Sequence, residues 1–163
     1  MESIGAQLWG TLVSEFSDIP NAGEVLRIIL RLSLALLLGG LLGWERERSG
    51  KDAGLRTHML VALGAALFVL VPAQGGMEVS DMSRVLQGVI QGIGFLCAGA
   101  ILKSSDEQQV RGLTTAAGIW LTAAVGIAAG MGREATAVLS TVFAWFVLAG
   151  LRRWERKREQ AKG

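Results

Sequence analysis

The chain has a single cysteine, Cys97, and a single histidine, His58. It can therefore close no internal disulfide, and it offers no Cys/His cluster with recognisable metal-ligand spacing. The formal net charge is only +2, too small for total charge to argue for nucleic acid. Residues 1–24 contain no Lys or Arg, so the basic leader of a cleaved signal peptide is missing and the N-terminus is expected to be retained. No stretch resembles a P-loop, a nucleophile elbow or a zinc-protease helix, and the loops are too short to hold the phosphorylation machinery of an ion-pumping ATPase. An enzyme is not expected. Nor is a nucleic-acid partner, because the basic tail holds one aromatic, Trp154, and no fold around it.

What the sequence does have is long apolar runs. Of its 163 residues 51% are apolar, and the mean hydropathy of +0.43 is high for a fold surrounded by water. The charges bunch into short blocks between five apolar segments at residues 25–44, 57–72, 85–102, 113–130 and 135–151. Each is roughly 16 to 20 residues, or about 24 to 30 Å as helix, close to the thickness of a bilayer core. The shorter ones rely on flanking residues or slight thinning of the membrane. The runs are continuous instead of alternating and rich in Ala, Leu and Gly, which argues for helices against strands. The expected fold is an all-α membrane protein, one domain comprising a bundle of about five transmembrane helices over 25–151. An extracytoplasmic amphipathic segment, 1–24, precedes it: Ile4, Leu8, Leu12 and Phe16 recur every four residues, as in a helix lying at the membrane surface, until Pro20-Asn21-Ala22-Gly23 breaks it. A basic cytoplasmic tail, 152–163, follows and suits anionic headgroups.

The basic residues orient this arrangement, since loops rich in Lys and Arg stay cytoplasmic. Twelve of the sixteen fall in 45–56, in the loop carrying Lys103 and Arg111, and in the tail. The opposite side keeps Arg84 and Arg133, and Arg27 and Arg31 lie within the first segment. The N-terminus is expected outside and the C-terminus in the cytoplasm, which puts Trp44 and Trp154 at the inner interface and Trp9 at the outer one.

Small residues mark the helix faces: Gly39 and Gly43, Gly88 and Gly92, then Thr114, Gly118, Thr122, Gly126 and Gly130 at four-residue steps. In lipid, helices associate by close packing, and small residues permit it. Packing within one subunit is the first reading; a subunit interface or a thin hydrated path are the others.

Polar groups inside a membrane are costly and therefore candidates for function. Arg31 lies about two turns into the first helix, and Asp81, Arg84, Gln87 and Gln91 share one broad face at the start of the third. Arg31 is expected to pair with Asp81 or to cap helix carbonyls, because an unpaired buried charge costs several kcal/mol. Either a structural clamp or a polar vestibule results. A Mg2+ site needs carboxylates or carbonyls with room for water, and only Asp81 and Glu78 qualify here. No cofactor is expected on so sparse a ligand set, and the metal question stays open. At the cytoplasmic face, Glu45-Arg46-Glu47-Arg48 leads into a turn and then Arg56, Thr57 and His58. Glu45 and Arg48, three apart, can pair on the helix end. His58 is either a pH-sensitive group or a simple cap.

Four ordered stretches resemble one family. They run from Arg31 through Gly39-Gly40 to Trp44-Glu45-Arg46-Glu47, from Ala53-Gly54-Leu55-Arg56-Thr57-His58 to Gly64, from Gly92-Ile93-Gly94-Phe95 to Ile101, and from Val110-Arg111-Gly112 through Thr114-Thr115 and Trp120 to Gly126. Together they resemble the MgtC/SapB family of bacterial inner-membrane proteins over roughly residues 27–132. The resemblance implies five spans and a role in magnesium homeostasis and survival under magnesium limitation, exerted on other membrane proteins. It also implies family positions at Arg31, Glu45, Glu47, Gly54, Arg56, Thr57, Asp81, Arg84, Gly94, Phe95, Gly99, Arg111, Gly112, Thr114 and Thr115. Two departures stand out: Cys97 replaces a glycine usual in the family, and the soluble C-terminal domain of longer members is not expected after Leu151, where a short charged stretch follows.

The resulting expectation is a homodimeric, lipid-embedded regulatory or adaptor protein. Its competitor is a small permease or channel for Mg2+ or another ion, with Arg31, Asp81, Arg84, Gln87, Gln91, Thr114 and Thr115 along the route. A lipid-associated structural protein is the third reading. The cytoplasmic motif comprises Glu45, Glu47, Arg48, Arg56, Thr57, His58 and Arg111, and Gly39, Gly43, Gly88, Gly92, Gly94, Gly99, Gly118 and Gly126 are the packing positions.

Overall fold

A computed structural model describes residues 4–15, 17, 21–102 and 111–151. Phe16, Lys103 and the tail with Trp154 lie outside the described residues. By contacts the chain divides into two units, Met1–Leu30 and Arg31–Gly163. The first holds α1 (Ile4–Glu15) and the opening turns of α2 (Ala22–Arg48). Ile4, Leu8 and Leu12 follow one another at four-residue steps along α1, and all are exposed. Asn21 starts α2 as an N-cap, its Oδ1 accepting from the Glu24 amide at 2.9 Å.

The second unit continues α2 and adds α3 (Leu55–Gln74), α4 (Val79–Leu102), α5 (Leu113–Gly130) and α6 (Glu134–Trp145), the last running on as a π-helical turn, Phe146–Leu151. The described residues include no strand, and five helices are long and apolar enough to cross a membrane. The protein is an all-α, multi-pass membrane protein. Its helices outlast the apolar runs: α2 continues through the charged residues to Arg48, and α4 begins at Val79 and carries Asp81 and Arg84 on its first turns. Charged residues favour helix well enough to extend a span beyond the hydrocarbon.

Short turns follow from one repeated device. At the ends of α2, α3 and α5 the amides of Lys51, Met77 and Arg133 reach back to the carbonyls of Arg46, Pro72 and Ala128 at 3.0, 3.1 and 2.8 Å. The residue before each is a glycine with positive φ, Gly50, Gly76 or Gly132, as a Schellman cap requires.

The core is built from small side chains. Ala35, Ala62, Ala66, Val125, Ala129 and Ala137 form one buried cluster, and Ala53, Val61, Ala65, Ile93, Ile119 and Ala123 a second. Along α3 and α5 the contact is between backbones: a Cβ built on Gly126 would stand 2.8 Å from Ala62 Cα, and one on Gly130 would stand 2.8 Å from Ala66 Cα. Hydrocarbon gives helices no hydrophobic reason to associate, so van der Waals contact at this range is what holds them. Thr122 and Thr141, fully buried, turn their hydroxyls to their own helices, donating to Gly118 O and Ala137 O at 2.8 Å each.

Candidate functional site

A buried polar grouping lies where α2 turns into α3. Ala35, Gly39, Leu42 and Gly43 make up the inward face of α2. A Cβ on Gly39 would stand 2.7 Å from both Ala62 Cβ and His58 O, and one on Gly43 2.8 Å from Leu55 Cα. With α2 seated this closely on α3, the next residue of that face, Arg46, is carried inside and is 2% exposed. Its Nε and Nη2 both meet Glu45 Oε2. Glu45 is buried as well, and its other oxygen accepts from Ser49 Oγ at 2.7 Å. Arg46 Nη2 also donates to Leu148 O at 3.4 Å. Leu148 belongs to the π-helical turn, where the wider winding alters the usual carbonyl pairing.

His58 sits beside this pair with no exposed surface. Its Nδ1–H donates to Gly54 O at 3.0 Å, while Nε2 is buried and lacks a hydrogen-bond partner. Nε2 faces Gly118 of α5, where a Cβ would stand 3.6 Å from it and 4.0 Å from Arg46 Cδ. The missing side chain at Gly118 thus forms a notch shared by the imidazole and the arginine stem. Glu47 and Gly54 build the adjoining helix start: Glu47 Oε2 accepts the Leu55 amide at 2.9 Å, and a Cβ on Gly54 would come within 2.7 Å of that oxygen. A carboxylate there also complements the positive end of α3.

The i,i+3 spacing predicts a Glu45–Arg48 pair; the structure pairs Glu45 with Arg46 instead. Arg48 is on the outer side, its guanidinium 5.4 Å from the Trp44 ring centroid. The reason is the close seating of α2 through Gly39 and Gly43, which selects the buried face. Arg46 and Ser49 were missed, although Arg46 lies seven residues after Gly39 and so on the same stripe. Arg56 and Arg111 are exposed and Thr57 is half-buried.

Arg31 lies about 22 Å away along α2. It donates from Nη1 to Gly130 O at 3.4 Å and has Glu134 at 3.8 Å from Nε, so it caps the end of α5 and does not reach Asp81. Asp81 lies 3.9 Å from Arg84 on its own helix. Arg84, Gln87 and Gln91 are exposed on the side of α4 away from the bundle. Thr114 lines a cleft of about 420 Å³ with Leu42, Gly118, Phe143 and Leu148, whereas Thr115 is buried on another face of α5. The predicted polar residues therefore fall in separate places.

The glycines divide similarly. Gly39, Gly43 and Gly126 meet neighbouring helices, and Gly118 makes the looser notch. Gly88, Gly92, Gly94 and Gly99 meet nothing within 4 Å, so the α4 glycines do not pack within the chain as expected. Gly88 and Gly92 instead border an apolar groove of about 590 Å³ with Leu60, Gly64 and Phe68 of α3. Among the described residues no group of three or more His, Cys, Asp or Glu is placed to hold a metal ion.

Comparison with known proteins places the chain in a family. The protein SrpB of Synechococcus elongatus is 43% identical over 82% of this chain and 80% of its own length. The putative magnesium transporter YhiD of Escherichia coli K12 is 42% identical over 74% of this chain and 58% of its own. The protein MgtC of Brucella abortus is 47% identical over 74% of this chain and 50% of its own. The chain thus spans only about half to three fifths of the latter two. No solved structure matches. Residues 32–157 match the MgtC family, and the chain belongs to it.

Proposed function

We propose that this protein is a regulatory component of the bacterial inner membrane that serves adaptation to low magnesium by binding other membrane proteins. Its N-terminus lies outside and its C-terminus in the cytoplasm, as the charge asymmetry favours. The magnesium link rests on family membership and on the name of the YhiD relative. The choice of adaptor over conduit rests on one observation: Arg84, Gln87 and Gln91 project away from the bundle. Side chains that line a route converge on an interior, and these three do not. Consistent with this, the seam between α3 and α5 is closed by backbone contact at Gly126 and Gly130.

The test is purified protein in liposomes with dyes reporting Mg2+, H+ and K+. Flux equal to that of empty vesicles is expected, and crosslinking in native membranes should then recover a reproducible partner. Flux above the empty-vesicle rate overturns the adaptor and favours the second reading, a small permease. In that reading Thr114, on the cleft between α2, α5 and α6, is the first residue to examine.

A further inference from the structure

Lipid-facing helix surfaces in this protein are mostly greasy. On α3 the exposed positions include Leu60, Phe68 and Val71; on α6 and its π-helical continuation they include Leu139, Val142, Phe143 and Phe146. One surface differs. Met82, Val89, Ile93, Cys97 and Ala100 turn α4 toward the bundle. On the opposite side Arg84, Gln87, Gln91, Gly94 and Ala98 succeed one another at alternating spacings of three and four, all of them exposed. That is the a/d spacing by which one helix lies along another. The seam is polar in its first half and small in its second.

Both halves call for a neighbouring helix. Gln87 and Gln91 have no side-chain hydrogen bond among the described residues, and hydrocarbon supplies no water to replace one. Gly94 meets nothing within 4 Å, so another backbone can approach there. A second copy of this chain fits the seam on its own chemistry. Each primary amide carries donors and an acceptor, so like residues satisfy each other across a two-fold axis. Arg84 sits 3.9 Å from Asp81 on its own helix, so two such ends meet as balanced charges and not as two bare cations. Copies inserted by the same charge rule share one orientation, which brings Gln91 opposite Gln91 and Gly94 opposite Gly94.

We propose that α4 is the self-association face of this protein, with two copies packed in parallel and the amides of Gln87 and Gln91 exchanging hydrogen bonds across the axis. Oxidative crosslinking of the full chain in native membranes tests this. The native thiol, turned inward with Cys97 Sγ 3.3 Å from Ala116 O, is first replaced by Cys97→Ala. Gly94→Cys and Ala98→Cys should then trap covalent dimers, while Leu139→Cys on α6 should not. Gln87→Leu with Gln91→Leu should lower the trapped fraction, and the association constant in detergent should fall by about tenfold. The Gln91→Asn variant, which keeps an amide, should retain most of the dimer and separates lost hydrogen bonding from lost folding. Monomers only at positions 94 and 98, adducts there with a different protein, or equal trapping at position 139 each overturn the proposal.

Discussion

Arg46 is paired with Glu45 inside the membrane domain, both side chains shielded from solvent although they are adjacent in sequence. Removing one partner leaves the other charge buried and unmatched, at a cost of about 3–5 kcal/mol. Glu45→Ala is expected to lower the thermal midpoint in detergent sharply, and Glu45→Leu combined with Arg46→Met should recover much of the loss, because an apolar pair removes both charges. A double variant no more stable than Glu45→Ala would contradict this account of the pair.

Gly126 and Gly99 should respond oppositely to alanine. The methyl of Gly126→Ala meets the backbone of Ala62, and overpacking of that kind costs about 1–3 kcal/mol. At Gly99 nothing lies within 4 Å, and Gly99→Ala gains helix propensity of up to about 1 kcal/mol. Parallel melting curves decide the matter; equal effects at the two sites would argue against the α3–α5 seam.

The unpartnered Nε2 of His58 suggests a stabilising substitution across from it. A Cβ at position 118 stands 3.6 Å from that nitrogen, close enough for Gly118→Ser to bring a hydroxyl into hydrogen-bonding range. Compared with Gly118→Ala, the serine variant should melt higher, by the roughly 0.5–1.5 kcal/mol of a new internal hydrogen bond. A serine variant less stable than the alanine variant would rule out that pairing.

Orientation is open to labelling of intact cells. In a Cys97→Ala background, an impermeant maleimide should modify Val79→Cys, a 90% exposed position at the first residue of α4, and spare Lys51→Cys in the α2–α3 turn until the cells are opened. The reverse pattern would invert the topology.

The spans and the α2–α3 turn were legible because each has a local cause. Apolar length selects the helices, and Gly50 permits the turn. The buried face of α2 was harder to read. Whether Arg46 or Arg48 pairs with Glu45 depends on how close α3 comes, and that distance is set by how Ala62 and Leu55 of the next helix meet Gly39 and Gly43. The α4 glycines show a related limit: spacing identifies a face that can pack, but it does not say whether the partner belongs to the same chain. Arg31 shows a third, since α2 and α5 approach through tertiary packing, which decides that Gly130 lies within its reach and Asp81 does not.

Gly126 and Gly130 of α5, one turn apart, rest on Ala62 and Ala66 of α3, also one turn apart, and this admits only one sliding register. Displacing α5 by a single 5.4 Å ratchet step would set either the branched Thr122 against Ala62 or Gly126 against the bulk of His58. These two rods must therefore move as one body, and any switching motion in the protein is left to the helices around them.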